Sequence, residues 1–162
     1  MSDFEGKEIS SVFGAGWSLS TDSLIGGKST ARFQLVQNGA QNSKGSLLVA
    51  GKIDDKAQSR WGGVSFSPGV APFVPTNLSS KKVVSFWSKG DGKTYAVMLF
   101  FQKLGFRPSI QTFTAGKEWT LHRFALRDFD GCDGSDILAV FFGGGPDAGD
   151  FSFQVDTVRF EE

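Results

Sequence analysis

The sequence is poor in the residues that build catalytic and metal centres. Its 162 residues include one cysteine, Cys132, and one histidine, His122. A single cysteine excludes an intramolecular disulfide and supplies no thiolate cluster for a metal. One histidine also falls short of the several His or Cys ligands that a catalytic zinc ion usually has. A lone strand histidine is typical of a hydrogen-bonded structural residue, although in a cleft it would bond a ligand hydroxyl.

The chain also lacks an excess of either charge. Lys and Arg together number 17, as do Asp and Glu, so the formal net charge is zero. No basic stripe is visible, which argues against nucleic acid or an anionic membrane as the main partner. No apolar run is long enough to span a bilayer, and the opening MSDFEGKEIS has no apolar signal-peptide core. We therefore expect a cytoplasmic chain without a membrane span; its oligomeric state is left open.

Helical periodicity is missing as well. No window of helical length has apolar residues repeating every three to four positions, whereas glycine (21 residues) and phenylalanine (17) are abundant. Many glycines with many aromatic residues indicate short strands joined by tight turns. Roughly eight to ten antiparallel strands are expected from the spacing rule for such folds. The predicted fold is all-β, an antiparallel jelly-roll β-sandwich formed by a single domain over residues 1–162.

The segment Val83–Phe101 is the centre of this pattern. It contains two apolar runs, Val83–Trp87 and Tyr95–Phe101, on either side of the turn sequence KGDGK. Glycines that accept positive φ, with an aspartate that bonds its own backbone, favour a β-hairpin. Because Tyr95–Phe101 is apolar on both strand faces, we expect this hairpin in the middle of a sheet that is covered on both sides.

A glycine-rich motif near the start resembles part of a nucleotide site. The sequence GGKST at 26–30 matches the tail of a phosphate-binding P-loop. The first glycine of that motif is replaced by Asp22, whose carboxylate would repel phosphate, and no strand-then-helix context follows. We therefore interpret GGKST as a turn before a strand.

Four aspartates lie close together in RDFDGCDGSD, residues 127–136. Oxygen ligands at this density can hold calcium. The EF-hand spacing fails, however, because Cys132 takes a ligand position and no closing glutamate follows. A solvated acidic turn is the favoured interpretation. The same residues would serve glycoside hydrolysis only with two carboxylates at a defined gap across a sugar, which a sequence does not show.

Tryptophan provides the main indication of a ligand site. Trp87 shares a strand face with Val83 and Ser85, and Trp61 shares its face with Gly63. Flat rings on small-residue faces suit a shallow groove, because Trp stacks well on sugar rings and apolar partners. Core filling is the alternative for each ring. The predicted ligand-binding residues are Trp61, Trp87, Tyr95, Arg107, Gln111 and His122.

Several sequence blocks between about Trp17 and Phe160 resemble one known family. They are GGKS after Asp22, WGGV at 61–64, NLS at 77–79, FWSKGDGKTY at 86–95, EW at 118–119 and VDTV at 155–158. Together they resemble the complex I intermediate-associated protein 30 domain, in the bacterial form often appended to amidohydrolases. The GDGKTY block and the closing Asp-x-Val are the most specific parts of the resemblance.

The resemblance implies a galactose-binding-like jelly roll, akin to carbohydrate-binding modules, without catalytic activity. We therefore expect a non-catalytic domain that binds a carbohydrate or a protein on the concave sheet face or the rim loops. The alternatives are an assembly or chaperone-like interaction protein, as the mitochondrial members are, and an accessory domain of an amidohydrolase. By analogy with related sugar-binding modules, a structural calcium is implied near the chain ends. Its ligands would be Asp3, Glu5 and Asp156, and no other cofactor is expected.

Overall fold

The computed structural model describes residues 1–105 and 107–162. The described residues form ten strands and four short 3-10 turns. No helix in this part of the chain is both long and apolar enough to cross a bilayer. The strands are β1 Gly16–Thr21, β2 Thr30–Gln37, β3 Gly45–Ile53, β4 Gly62–Ser67, β5 Val83–Gly90, β6 Thr94–Phe101, β7 Ser109–Thr114, β8 Thr120–Ala125, β9 Ile137–Gly144 and β10 Gly149–Glu161.

The strands build two five-stranded sheets. Sheet 1 has the order β1-β4-β9-β6-β7 and sheet 2 has the order β2-β3-β10-β5-β8. Every neighbouring pair is antiparallel. The predicted antiparallel β-sandwich is therefore confirmed, as is the alternation of β10, whose Phe151, Phe153 and Val155 are buried.

Phenylalanine rings fill the space between the two sheets. Phe86 of sheet 2 meets Phe142 of sheet 1 with ring centroids 4.9 Å apart and an interplanar angle of 80°. Phe113 contacts Phe86 in the same edge-to-face way, at 4.9 Å and 79°. Edge-to-face pairing brings a positive ring edge to a negative ring face, which adds to the gain from burial alone. The abundance of phenylalanine is thus explained largely by this inner layer.

The predicted hairpin is wrong, because β5 and β6 do not pair with each other. β5 lies in sheet 2 between β10 and β8, whereas β6 lies in sheet 1 between β9 and β7. The KGDGK turn therefore crosses from one sheet to the other. Its local chemistry is as expected: Gly92 has a φ of 86°, and Asp91 Oδ1 accepts the Lys93 N–H at 3.0 Å. Turn residues specify a change of direction, but contacts distant in sequence decide which strands pair.

The GGKST segment is a turn before β2, as interpreted. Asp22 is fully buried and accepts hydrogen bonds from the Ser29 N–H at 2.9 Å and the Ser29 hydroxyl at 2.5 Å. A Cβ at Gly27 would lie 2.2 Å from Asp22 Oδ1. The aspartate and the glycine of this block are therefore structural partners that fix the entry into β2.

Candidate functional site

The outer face of sheet 2 is a polar surface that is open to solvent across the middle of the sheet. Register places Gln34, Leu48, Gln154 and Lys89 side by side on β2, β3, β10 and β5. All four are at least partly exposed. Side chains in such a row belong to adjacent strands about 4.8 Å apart, so the row crosses the strands and continues towards β8.

Two adjoining depressions lie on this face, which we call the sheet 2 groove. One, of about 380 Å³, is bordered by Leu48, Lys89, Lys117 and Gln154. The other, of about 460 Å³, is bordered by Thr30, Arg32, Lys52 and Asp150. Ser152 contributes to both. Small residues lie between the long ones, and they are Ala50, Gly51, Gly90 and Ser152.

Two tryptophans lie at the β5–β8 end of the groove. Trp87 is half-buried and pairs across strands with Leu121, which is 43% exposed. The ammonium group of Lys89 lies 5.4 Å from the centroid of the Trp119 ring. A cation at that distance from an indole face is attracted by the ring quadrupole. The contact therefore holds the Lys89 side chain against the Trp119 ring, at the border of the groove.

Four cations line the groove without a carboxylate partner. Arg32, Lys52, Lys89 and Lys117 border the two depressions, and none of them is in a salt bridge among the described residues. Their charges are therefore presented to solvent and to whatever the groove binds.

Asp91 supports the groove wall from the crossing turn. Its carboxylate accepts the Tyr95 hydroxyl at 2.8 Å and the Ser152 N–H at 3.1 Å. Burial, together with the neighbouring Asp91 carboxylate, raises the pKa of Tyr95 well above its usual range. The phenol thus stays protonated. The GDGKTY block therefore connects the crossing turn to β10 by hydrogen bonds.

The structure does not bring the six predicted ligand-binding residues together. Trp87 lies beside the sheet 2 groove. Trp61 precedes β4 of sheet 1, and its indole N–H donates to Ser20 Oγ on β1 at 3.2 Å. Tyr95 is only 2% exposed, with its ring 4.4 Å from that of Phe153. Trp87 is on the outer face of β5 in sheet 2, as expected, whereas Trp61 lies just before β4 of sheet 1.

The three predicted hydrogen-bonding residues are also apart from the groove. His122 packs between the sheets, 5.3 Å from both Phe86 and Phe113, and its Nε2 is 2.8 Å from Ser88 Oγ. Burial lowers the pKa of His122. Gln111 donates through Nε2 to the Asp128 carbonyl at 2.7 Å. Arg107 is exposed on a loop, 3.9 Å from an Asp130 oxygen.

Two of the three carboxylates expected to hold calcium, those of Asp156 and Glu5, bind the loop between β2 and β3. Asp156 is fully buried and accepts the Ala40 N–H at 2.8 Å and the Ser43 hydroxyl at 2.6 Å. Glu5 accepts the Lys44 N–H at 2.9 Å. Asp3 accepts the Glu5 N–H at 3.3 Å. No three His, Cys, Asp or Glu side chains in the described ranges are placed to hold a metal ion, and the structural calcium stays a prediction.

Three of the four aspartates in the acidic segment 127–136 are exposed, and Asp136 is half-buried. Asp130 and Asp133 are largely exposed. Asp133 accepts from the Lys103 ammonium group at 2.8 Å and the Ser135 hydroxyl at 2.7 Å. Its hydrogen bond to Lys103, followed by that to Ser135, lowers the pKa of Asp133. This arrangement is that of a solvated acidic turn.

Sequence reasoning missed most of the groove residues. The alternation of β2 places Arg32 and Gln34 on its polar face, and that of β10 does the same for Gln154. What the sequence does not show is that these two strands flank β3 in one sheet. Only that alignment turns scattered polar residues into one groove.

Three solved structures illustrate the fold that this chain has. A family 11 carbohydrate-binding module of a cellulosomal cellulase of Clostridium thermocellum has a TM-score of 0.67 and 14% identity, covering 98% of this chain and 91% of that one. The family 11 module of the same organism with a β-1,3-1,4-mixed-linked tetrasaccharide has a TM-score of 0.65 and 15% identity, at coverages of 99% and 93%. An exo-β-agarase has a TM-score of 0.63 and 11% identity, and this chain covers 24% of it.

The sequence comparisons identify the family. No curated protein sequence matches the chain. The family model described as complex I intermediate-associated protein 30 matches residues 2–132, which confirms the resemblance seen in the sequence blocks. A match over this much of its length shows that the chain belongs to the complex I intermediate-associated protein 30 family.

Proposed function

We propose that this chain is a non-catalytic carbohydrate-binding domain and that its ligand lies in the sheet 2 groove. The observation that carries the proposal is the row of Gln34, Gln154 and Lys89 across the sheet, which ends against Trp119. Sugars present hydroxyl groups at their edges and C–H groups on their faces. Amide and ammonium side chains bond the former, while indole rings stack on the latter.

The likeness to carbohydrate-binding modules supports this proposal, since one of them was solved with a mixed-linked tetrasaccharide.

The carboxylates of the groove support binding rather than hydrolysis. Glycoside hydrolysis generally uses a pair of carboxyl groups flanking the bond that breaks. Of the two carboxylates lining the groove, Asp91 is occupied by the Tyr95 hydroxyl, which leaves Asp150 alone.

The proposal is tested by a glycan array followed by titration calorimetry on the Trp87→Ala and Trp119→Ala variants. We expect the intact domain to bind a glycan and each variant to bind it at least about tenfold more weakly, which corresponds to about 1.4 kcal/mol. Loss of ring stacking is the physical reason.

Trp61→Ala is the matched control, because Trp61 is also a half-buried tryptophan but lies next to β4 of sheet 1. Circular dichroism checks that all three variants fold. Loss of binding in Trp61→Ala alone would move the site to sheet 1. Absence of binding to any glycan by the intact domain would remove the carbohydrate function.

A second candidate function is a protein-interaction domain that acts in assembly. The loop between β4 and β5 favours it, because Val70 is 93% exposed and Phe73 is 48% exposed. Exposed apolar patches on soluble proteins often mark interaction sites. This candidate predicts that crosslinking captures one specific protein with the intact chain and that the double variant Val70→Ser with Phe73→Ser loses it. Unchanged capture by the double variant would contradict it.

A further inference from the structure

The sheet 2 groove is positively charged although the chain as a whole has no net charge. Arg32, Lys52, Lys89 and Lys117 border it, against two carboxylates, Asp91 and Asp150. Positive side chains thus outnumber negative ones two to one along the lining. A groove lined mostly by one sign of charge concentrates ligands of the opposite sign.

The two carboxylates do not cancel this charge. Asp91 is turned towards the Tyr95 hydroxyl and the Ser152 N–H, and the Lys93 ammonium group lies 4.0 Å from it. Asp150 is opposite Lys52 in the register of β10 and β3, yet the two form no salt bridge. Lys93 also donates to the backbone carbonyl of Asp150. Asp91 therefore has a further cation, Lys93, beside it, and among the described residues neither carboxylate is in a salt bridge with any of the four groove cations.

Lysines elsewhere on the surface are paired with carboxylates, whereas the groove cations are not. Lys103 is 2.8 Å from an Asp133 oxygen, and Lys81 is 3.1 Å from a Glu162 oxygen. By contrast, Lys89 has the Trp119 ring beside it and is in no salt bridge among the described residues, an environment that orders its side chain and leaves its charge unneutralised. An anion that binds Lys89 therefore has no carboxylate to displace.

The cations are spread along the groove and are not gathered at one point. Lys52 and Lys89 are separated by two strand spacings, about 10 Å across the sheet, and Lys52 is four residues further along β3 than Leu48, the β3 member of the row that contains Lys89. A single small anion does not reach both. A polymer with a charged group on successive units does.

We infer that the groove selects acidic polysaccharides, whose sugars carry carboxylate or sulfate groups that pair with Arg32 and Lys52 at one end and with Lys89 and Lys117 at the other. This inference rests on the proposed carbohydrate function and adds the ligand class. The guanidinium fork of Arg32 matches the paired oxygens of either group.

The test compares polygalacturonate with its methyl ester by affinity electrophoresis and calorimetry, since the two share a backbone and differ in charge. Mixed-linkage β-glucan, a sulfated galactan and single-stranded DNA complete the set. We expect at least one acidic polysaccharide to bind ten or more times tighter than the methyl ester and the β-glucan. We also expect this advantage to shrink at high salt, because salt screens exposed charges.

The double variant Arg32→Gln with Lys52→Gln, which removes two groove cations outside the row of Gln34, Gln154 and Lys89, should lose the advantage for the acidic polymer while keeping the affinity for neutral polymers. Arg127→Gln is the control, because it removes one exposed charge from the turn after β8, outside the groove. Tighter binding of the sulfated galactan than of polygalacturonate supports the inference with sulfate as the recognised group.

Equal affinity for acidic and neutral polysaccharides, or preference for the neutral ones, overturns the inference and leaves the proposed function standing. Equal binding of single-stranded DNA also overturns it, because the groove would then recognise any polyanion. If none of these polysaccharides binds, the inference is overturned, and the glycan array decides separately whether the proposed function stands.

Discussion

The two five-stranded sheets differ in their outer faces, because the centre of one is covered by a side chain and the centre of the other is open to solvent. On sheet 1 the centre is closed: Phe141 is 2% exposed and covers Gly63 and Gly143, where a Cβ would lie 3.0 Å and 2.3 Å from its ring. On sheet 2 the centre is open, with Gln154 and Lys89 standing beside small residues. The residues at alternate positions of each strand, and not the fold, therefore decide which outer face is open to solvent.

The largest effect is expected from breaking the closed face. In Gly143→Ala the new methyl group would meet the Phe141 ring at 2.3 Å and the Gly62 carbonyl oxygen at 2.4 Å. Backbone atoms do not yield easily, so we expect the free energy of unfolding to fall by about 3 kcal/mol. Urea denaturation measures this.

Gly116→Ala is the control for that variant, because a Cβ there meets nothing within 4 Å. A change of about 0.5 kcal/mol or less is expected for it. If Gly143→Ala were as stable as Gly116→Ala, the close packing of Phe141 on its glycines would be refuted. Any glycan affinity of the folded fraction should be unchanged, since the substitution is on the other sheet.

An intermediate effect on stability is expected from a change of pH, because the titrating group, His122, lies on the inner side of sheet 2. Burial lowers the pKa of His122 in the folded chain, so the folded state binds a proton less readily than the unfolded state, whose pKa is about 6.5. Stability is therefore complete above about pH 6.5 and decreases as the pH falls below that value. Urea midpoints measured between pH 7 and pH 5 show this directly.

His122→Gln serves as the comparison, because it keeps a polar side chain next to Ser88 and removes the titrating group. This variant should lose the decrease in that interval. An identical pH profile in both proteins would assign the decrease to other groups.

The smallest effect on stability is expected on the open face. Gln154→Ala removes a half-buried side chain whose Oε1 accepts from the Ser46 hydroxyl at 2.9 Å. We expect a loss of about 1 kcal/mol in the free energy of unfolding, together with weaker glycan binding by calorimetry. A severe loss of stability with unchanged glycan binding would contradict the assignment of the sheet 2 face as the open, ligand-binding one.

Local patterns predicted the strands well and their partners poorly. The alternation of Phe151, Phe153 and Val155 in β10 indicated the correct inner face. The same reasoning placed Trp87 opposite Val84 and Phe86, both of which are fully buried. The predicted hairpin failed because the signals in KGDGK describe a turn and do not specify which strands pair. The predicted ligand-binding residues are scattered for the same reason, since Trp61 lies next to β4 of sheet 1 and Trp87 lies on β5 of sheet 2.

Alternation, turn residues and sequence blocks are all local features, so they were enough to locate the strand segments, their inner faces and the family. Which outer face is open depends on the tertiary structure alone. Gln34 and Gln154 are 120 positions apart, and β3 alone brings them into one row. Pairing over such distances is set by the packing of the whole inner layer, which no short stretch of the chain encodes.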